Sequence, residues 1–244
     1  PENLDRKEFE YLNNLKPDVV VVVAYGKIIP NFFLENKKIL FINIHASLLP
    51  KWRGAAPIQR SIIEMDEETG ISIMKIIPKL DAGPLLMQKK VVIQENENCE
   101  TLSNKLSLLG SKLILESLDI IEKKNHKFIE QNEGLATYAK KIHKSESQIN
   151  WDVKAKHLVA KINGLAPSPG AWFNHKGNRL KIINVKEANQ SGKPGEVLDT
   201  KLTVACKENS IRILSIQKEG KRILSSNEFL AGYKIEKGEN LSDF

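Results

Sequence analysis

Asn43 and His45 stand two residues apart at the end of an apolar, strand-like run, and both side chains can take part in acyl chemistry. The run covers residues 39–44 and gives way to a small, polar, proline-bounded loop. Since residues i and i+2 of an extended strand project to the same side, we expect the amide and the imidazole to project together. An amide can donate to a developing oxyanion, and an imidazole can move a proton near neutral pH. The spacing therefore predicts a reaction site at a strand end, where open α/β sheets bind ligands.

Asp81 is the candidate third member of this site. It lies in the loop LDAGP, after the predicted strand ISIMKII, and in a parallel sheet that loop would open at the same edge as His45. A catalytic imidazole needs its tautomer and orientation fixed, which a carboxylate can do. Taken alone, Asp81 is more simply explained as a turn residue, because Asp and Gly are common in loops. The hypothesis therefore depends on the three residues together.

The elements that would position these residues alternate in the manner of an α/β protein. The valine run that begins at Val19 is too continuously apolar to have one wet face, and such runs are typical of the middle of a parallel sheet. The segment LLMQKKVVI alternates enough to indicate a strand nearer an edge. We therefore predict an α/β domain with a mostly parallel sheet. Its predicted strands cover residues 19–24, 39–44, 71–77 and 85–93, and its predicted helices cover residues 8–15, 30–35, 57–65 and 101–124.

The character of the chain changes after residue 133. The polar segment NEGLATYAKKIHKSES is typical of a linker between domains. Beyond it we predict a helix over residues 153–163 and a short helix near residues 227–231. The strands between these helices are short, as in a small β-barrel, and comprise AWFN, RLKIINVK, GEVLD, LTVAC and IRILSI. The predicted divisions are a first domain over residues 1–133, a linker over 134–150 and a barrel over 151–244.

The net charge of +7 is confined to the second half of the chain. Residues 1–140 carry equal numbers of basic and acidic side chains, so the whole excess lies in residues 141–244. A basic domain suggests a polyanionic partner, although a lysine-rich solvated surface is an equal alternative. In the first half, Arg53 beside Trp52 either meets a phosphate or lies on the surface beside a packed Trp. The basic residues that could follow a phosphate backbone are Lys141, Lys144, Lys154, Lys156, Lys161, Lys181, Lys186, Lys221 and Arg222.

Composition excludes several other kinds of site. Cys99 and Cys206 are the only cysteines and lack metal-ligand spacing, which favours free thiols in a reducing compartment and no bound metal. No apolar run reaches membrane-spanning length. The other histidines stand on polar segments and are expected to be solvated; these are His126, His143, His157 and His175.

The pattern of Asn43, His45, the loop 47–50 and the LDAG segment some thirty residues later resembles the formyltransferases that use 10-formyltetrahydrofolate. The continuation WRGAAPIQRS is similar to the members of this family that act on methionyl-tRNA, and AYGKIIP and TYAKKIHKSESQINW fit the same group. The resemblance covers essentially the whole chain and is strongest over residues 17–87. Ala46 departs from the Gly that many members carry.

The resemblance implies a Rossmann-like catalytic domain followed by a small OB-like β-barrel that binds tRNA. It implies transfer of a formyl group from 10-formyltetrahydrofolate to the α-amine of methionyl-initiator tRNA, by a cytoplasmic monomer that needs no metal. Asn43 and His45 would stabilise the developing charge, and Asp81 would orient His45. The residues that would line the tetrahydrofolate site are Ser47, Leu48, Leu49 and Pro50.

The family's chains open with a strand, a helix and a basic loop that contacts the tRNA acceptor end. We find no such segment before the first predicted helix, so we expect a catalytic domain that is partial at its N-terminus.

Two alternatives stay open at the level of sequence. One is another enzyme of the same fold, either a formyltransferase for a different amine or a formyltetrahydrofolate hydrolase, which would share the same three residues. The other is a tRNA-binding protein with little catalysis. The segment GAAPIQ and the basic second half favour the tRNA-directed enzyme.

Overall fold

The computed structural model describes residues 3–242 and divides the chain into two compact units. The first unit contains the described residues up to Pro57, Glu68–Val92 and Asn104–Lys141. The second contains Ile58–Glu67, Ile93–Ser103 and the described residues from Ile142 onward. Each unit therefore draws on separate stretches of the chain. Across the described residues, the helices are all too short or too polar to cross a membrane.

A four-stranded sheet forms the centre of the first unit. The strands up to residue 139 are β1 (Val19–Val23), β2 (Leu40–His45), β3 (Arg53–Gly54), β4 (Glu68–Lys75), β5 (Leu85–Val92) and β6 (Tyr138–Ala139). The helices over the same stretch are α1 (Arg6–Leu15), α2 (Asn31–Leu34), α3 (Pro57–Ile63) and α4 (Cys99–Glu122). The sheet has the order β1-β2-β4-β5, and the two-residue strands β3 and β6 pair separately in parallel.

The main sheet is mixed, so the prediction of a mostly parallel sheet is wrong for the described chain. Only β1 and β2 run parallel, whereas the β2–β4 and β4–β5 pairs are antiparallel. The inner residues of β4 are all buried. Burial on both faces gives the same apolar pattern for either strand direction, so the pattern could not distinguish the two.

The strand β1 lies at an edge of the described sheet and not in its middle. Val20 and Val22 pack into an apolar cluster, whereas Val21 and Val23 are 37% and 57% exposed. An unbroken valine run does not alternate, so it cannot show which of its faces is covered. At the opposite edge, β5 confirms the prediction of an edge strand.

Helices pack on both faces of this sheet. On one face α4 approaches closely because Gly110 has no side chain; a Cβ there would lie 3.2 Å from Ile44 Cγ2 and 3.7 Å from Ile71 Cδ1. On the other face, Phe41 of β2 meets Phe33 of α2 edge to face, with ring centroids 6.5 Å apart. The sheet is therefore fixed from both sides at β2.

A five-stranded antiparallel sheet forms the centre of the second unit. Its strands are β7 (Ala171–His175), β8 (Asn178–Ala188), β9 (Thr203–Ala205), β10 (Ser210–Lys218) and β11 (Ile223–Ser225), in the order β11-β10-β8-β7 with β9 on β10. The helices are α5 (Ala155–Leu165) and α6 (Ser226–Gly232). Leu158 and Ile162 of α5 share one buried core with Leu180 and Ile182 of β8.

The segment GEVLD, which the sequence predicts to be a strand, does not form a continuous strand. It contributes isolated bridges from Glu196 to Asn240 and from Val197 to Val204.

His175, at the end of β7, is fully buried, so the prediction that it is solvated is wrong. Its Nε2 lies 2.8 Å from Glu239 Oε2, and its Nδ1 lies 3.1 Å from the Tyr233 hydroxyl. Burial raises the pKa of Glu239, but hydrogen bonds from His175 and Lys176 outweigh that effect and hold the pKa below its ordinary value. These partners lie 58 and 64 residues from His175 along the chain, so the local polar sequence could not reveal them.

Candidate active site

The strand β2 places Asn43 and His45 on one face of the sheet. Alternate residues of a strand point to the same side, so both share the face of Phe41. In the antiparallel pairing with β4, Asn43 lies opposite Met74 and His45 lies opposite Ser72. Asn43 is half-buried, and among the described residues its side-chain amide has no hydrogen-bond partner. This amide is therefore available to a substrate.

His45 lies between a carboxylate and a backbone carbonyl. Its Nδ1 is 3.6 Å from Asp81 Oδ2, and its Nε2 is 2.8 Å from the carbonyl oxygen of Trp52. Because a carbonyl can only accept, this contact places the proton of the neutral ring on Nε2. Nδ1 is then the ring nitrogen that can exchange a proton, and it faces Asp81. The Trp52 carbonyl, rather than the carboxylate, thus sets the tautomer.

Backbone groups hold Asp81 in place. Its φ of 46° lies in the left-handed region, which Asp tolerates better than most residues. Its Oδ2 accepts the N–H of Gly54 at 2.8 Å. Two residues further on, Gly83 is required because a Cβ there would overlap the carbonyl of Lys75. The loop therefore presents the carboxylate to His45 in one fixed position.

The loop from Ser47 to Pro50 is anchored by Ser72, a fully buried serine of β4. The Ser72 hydroxyl donates to the carbonyl of Ser47 at 2.6 Å and accepts the N–H of Leu49 at 3.0 Å. Gln88 of β5 donates to the Leu49 carbonyl at 2.9 Å and to the Ser72 hydroxyl at 2.8 Å. The loop is thus tied to two strands of the sheet.

The four loop residues differ in what they can offer a ligand. Ser47 and Leu49 are buried, and the Ser47 hydroxyl donates to the carbonyl of Lys51 at 2.6 Å. Leu48 and Pro50 are half-buried and keep part of their surface accessible. Ser47 and Leu49 therefore shape the loop from inside, while Leu48 and Pro50 can contact a ligand directly.

Arg53 is fully buried and does not lie on the surface. Its Nη1 and Nη2 donate to the two carboxylate oxygens of Glu133 at 3.2 and 2.9 Å, and its Nε and Nη2 donate to Gln131 Oε1 at 3.2 and 2.9 Å. Hydrogen bonds from Arg53, and next from Lys79, lower the pKa of Glu133 to about 2. Both interpretations offered by the sequence, a phosphate contact and a surface arginine, are therefore replaced by a structural role.

The segment around Thr137 and Ala139, which the sequence suggested as part of a linker, belongs to the framework of the site. Thr137 accepts the N–H of Trp52 on its hydroxyl at 2.9 Å and the N–H of Arg53 on its carbonyl at 2.9 Å. The carbonyl of Ala139 accepts the N–H groups of residues 55 and 56 at 2.9 and 3.2 Å. These contacts fix the backbone whose Trp52 carbonyl holds His45.

Besides Thr137, sequence reasoning missed four polar side chains of this framework: Ser72, Gln88, Gln131 and Glu133. A signal existed for Ser72, since it stands between two isoleucines in the apolar run ISIMKII, and a buried polar residue needs a partner. The other three lie in polar surroundings, where nothing local distinguishes them from solvated residues.

The two parts of the chain have counterparts among known proteins. Residues 2–118 match the model of the formyl transferases, and residues 141–234 match the model of the formyl transferase C-terminal domain. The chain therefore belongs to the formyltransferase family, with a Rossmann-like N-terminal domain that contains a mixed sheet.

Curated relatives match almost the whole chain. The methionyl-tRNA formyltransferase of Pelagibacter ubique is 49% identical over 240 residues, which are 98% of this chain and 77% of that protein. The protein of the same name from Bradyrhizobium diazoefficiens is 40% identical over 243 residues, with 98% and 78% covered. Both relatives are longer than the present chain.

Solved structures show the same fold at lower identity. HypX from Aquifex aeolicus, in complex with tetrahydrofolic acid, has a TM-score of 0.72 at 20% identity and covers 95% of this chain and 44% of its own. WlaRD, a sugar 3N-formyl transferase, has a TM-score of 0.69 at 20% identity, with 86% and 77% covered. A methionyl-tRNA formyltransferase from Clostridium thermocellum has a TM-score of 0.60 at 22% identity, with 75% and 79% covered.

Proposed function

We propose that the chain transfers the formyl group of 10-formyltetrahydrofolate to the α-amine of methionyl-initiator tRNA. The observation that carries this proposal is the identity of 40–49%, over 98% of the chain, to proteins named methionyl-tRNA formyltransferase. At that identity the acceptor as well as the fold is expected to be shared. The reaction would supply the formylated methionyl-tRNA with which translation starts.

The transfer requires a site that stabilises negative charge on oxygen. The methionine amine attacks the formyl carbon, a new C–N bond forms, and the carbonyl oxygen becomes an oxyanion. Asn43 has an amide without a partner in the described chain, at the strand end beside His45. We assign to this amide the donation of a hydrogen bond to the oxyanion, which is worth most in the transition state.

The collapse of the tetrahedral species requires proton movement. The bond from carbon to N10 of the folate breaks, the former amine loses a proton, and N10 gains one. His45 Nδ1 is the ring nitrogen that can exchange protons, because Nε2 is held by the Trp52 carbonyl. Asp81 lies 3.6 Å from Nδ1 and offers a carboxylate to the amine proton or to the protonated ring. We therefore propose His45 and Asp81 as the pair that handles both protons.

The loop from Ser47 to Pro50 is the proposed contact for the folate. It lies directly after His45 and is fixed by Ser72 and Gln88. A rigid loop that presents Leu48 and Pro50 suits one face of a flat pterin ring. The relation to folate is supported by structural relatives whose crystals contain tetrahydrofolic acid or 5-N-formyl-THF.

The second half of the chain is the proposed tRNA contact. We propose a catalytic domain over residues 1–133, a linker over 134–150 and an OB-like barrel over 151–244. The all-antiparallel sheet supports the barrel, and the confinement of the +7 charge to residues 141–244 supports an RNA partner. The protein would act in the cytoplasm as a monomer.

Formylation of defined acceptors tests this function. The 244-residue chain is incubated with 10-formyltetrahydrofolate and, in separate reactions, with methionyl-initiator tRNA, methionyl-elongator tRNA or a sugar-nucleotide amine. We expect formyl transfer to the initiator tRNA and at least about tenfold less to the other acceptors. Preferred transfer to the sugar amine, or release of formate without an acceptor, would favour another enzyme of the same fold.

A further inference from the structure

Gln131 connects Arg53 to the loop that carries Asp81, although it belongs to neither segment. It follows α4 in sequence, and its side chain is buried, with 9% of the residue exposed. Its Nε2 donates to the carbonyl of Asp81 at 2.9 Å and to the carbonyl of Gly83 at 2.7 Å. Its Oε1 accepts two hydrogen bonds from Arg53. One amide therefore uses its two donor hydrogens and both lone pairs of its oxygen.

The orientation of this amide is determined by its neighbours. If the side-chain amide of Gln131 were flipped by about 180°, its N–H groups would face the N–H groups of Arg53. Its oxygen would then face the carbonyls of Asp81 and Gly83. Both contacts would be repulsive, since a guanidinium only donates and a carbonyl only accepts. Arg53 is in turn held by the carboxylate of Glu133. The ion pair of Arg53 with Glu133 thus fixes the orientation of the Gln131 amide. That amide in turn fixes the backbone carbonyls on both sides of residue 82.

That backbone carries the carboxylate that faces His45. Asp81 adopts a φ of 46°, which a free loop would not favour, and its carboxylate reaches His45 and the N–H of Gly54. Without the Gln131 donors, the carbonyls of Asp81 and Gly83 would lose these partners, and the loop would turn to satisfy them elsewhere. We infer that Gln131 is a positioning residue for formyl transfer, acting by holding Asp81 within reach of His45.

This inference rests on the proposed function, and its test separates the two. The informative variant is Gln131→Glu, which keeps the volume and the acceptor for Arg53 but replaces both donor hydrogens. The matched control is Asn132→Asp, because it makes the same amide-to-carboxylate change one residue away. There the side-chain oxygen that accepts the N–H of Gly134 is kept, and Asp81 is not touched.

We expect Gln131→Glu to lower kcat for formyl transfer by about tenfold or more, because small displacements of a reacting group are costly. KM for both substrates should stay within about twofold of the wild-type value, since Gln131 touches no proposed binding residue. Asn132→Asp should resemble the wild type in both constants. An unchanged kcat in a folded Gln131→Glu variant would overturn the inference.

A double-mutant cycle with Asp81→Asn shows whether Gln131 acts through Asp81. If it does, Gln131→Glu should cost less than about twofold in the Asp81→Asn background, since the group that it positions is already inactive. An equal fold-loss in both backgrounds would mean a general effect on the fold, and would contradict the positioning role.

Hydrogen exchange of the Gly54 amide gives a readout that does not need activity. Its N–H donates to Asp81 Oδ2, so it should exchange at least about tenfold faster in Gln131→Glu and at the wild-type rate in Asn132→Asp.

If Gln131→Glu does not fold, Gln131→Met replaces it, with similar volume and no donors. Unchanged Gly54 exchange in a folded variant overturns the inference even if the wild type fails to formylate tRNA, whereas that failure alone overturns only the proposed function.

Discussion

The imidazole of His45 and the carboxylate of Asp81 approach through Nδ1 and Oδ2 at 3.6 Å, while the opposite ring nitrogen is held by the Trp52 carbonyl. This distance exceeds a hydrogen bond but is short enough for a strong electrostatic interaction when the ring is protonated. In this geometry Nδ1 can exchange a proton with a third group, and the pair differs from a triad in which the carboxylate holds Nδ1–H.

The first prediction concerns the two residues at the end of β2. Asn43→Ala should lower kcat at least about a hundredfold, because one oxyanion donor typically contributes that much. His45→Ala should do the same through lost proton transfer. The measurement is the rate of formylmethionyl-tRNA formation at saturating substrates. Thermal unfolding of both variants is the control, and wild-type turnover in either one would refute the assignment.

The second prediction concerns the anchor of the proposed folate loop. Ser72→Ala should raise KM for 10-formyltetrahydrofolate several-fold, because the loop loses the hydroxyl that holds Ser47 and Leu49. Stability should fall by about 1–3 kcal/mol, the typical cost of leaving a buried polar group unpaired. Urea unfolding and initial-rate kinetics measure the two effects.

Ser111→Ala is the matched control for this change. Ser111 is exposed on α4, and its hydroxyl bonds only locally to the Leu108 carbonyl, so neither quantity should move. If Ser72→Ala weakened the fold but left the KM for folate unchanged, the loop would not be the folate contact.

The third prediction concerns pH. The pKa of Glu133 falls from its ordinary 4.5 to about 2, mainly through Arg53 and then Lys79. Since the folded-state pKa lies below the unfolded one, the charge of Glu133 stabilises the fold fully above pH 4.5, and this stabilisation is lost as the pH falls toward 2. The melting temperature of Glu133→Gln should thus lie below that of the wild type at pH 6 and approach it near pH 2.

The exposed neighbour Glu130 provides the comparison for that experiment. Glu130→Gln should leave the melting temperature close to the wild-type value over the whole range, because its carboxylate forms no ion pair within the described residues. A gap between Glu133→Gln and the wild type that stays constant from pH 6 to pH 2 would contradict the role of the Arg53 pair.

The fourth prediction concerns binding of tRNA. The logarithm of the affinity should fall steeply and linearly with the logarithm of the salt concentration. Lys186→Gln and Lys221→Gln, two exposed positions in the basic half, should each reduce the slope by about 1 if the lysine contacts a phosphate. Filter binding between 50 and 200 mM salt, roughly the range over which such effects are large, measures the slope.

Lys37→Gln is the control for charge alone. It removes the same charge from an exposed position in the neutral half of the chain, and the slope should stay at the wild-type value. A flat salt dependence in the wild type, or equal effects of all three substitutions, would argue against a tRNA contact in the second half.

The local elements of the fold could be predicted from the sequence because their determinants are local. The helix predicted over residues 101–124 is α4, and the run ending at Ile44 is β2. Strand direction and edge position could not be predicted in this way. They depend on which segment lies alongside, and the valines of β1 look the same whether or not both neighbours are present.

In the candidate site, too, the sequence could place the residues with local determinants but not those with distant partners. The spacing of Asn43 and His45 predicts their shared face. Asp81 does approach His45, but the reason given by the sequence was wrong, because β4 runs antiparallel to β2 and the loop after β4 therefore begins at the opposite edge. Arg53 and His175 could not be placed, since their partners lie far along the chain. His143 and His157 are exposed as predicted, whereas His126 is half-buried.

The contacts of Thr137 and Ala139 with the backbone of residues 52–56 determine where the chain can be truncated or cleaved without loss of the site. A catalytic fragment that stops at residue 133 would lack the carbonyl groups that hold this backbone, whereas one that runs through Lys141 would keep them. Leu135 is exposed, so a protease can reach the peptide just before them. Nicking there should abolish turnover once the product that carries Thr137 and Ala139 separates from the backbone of residues 52–56.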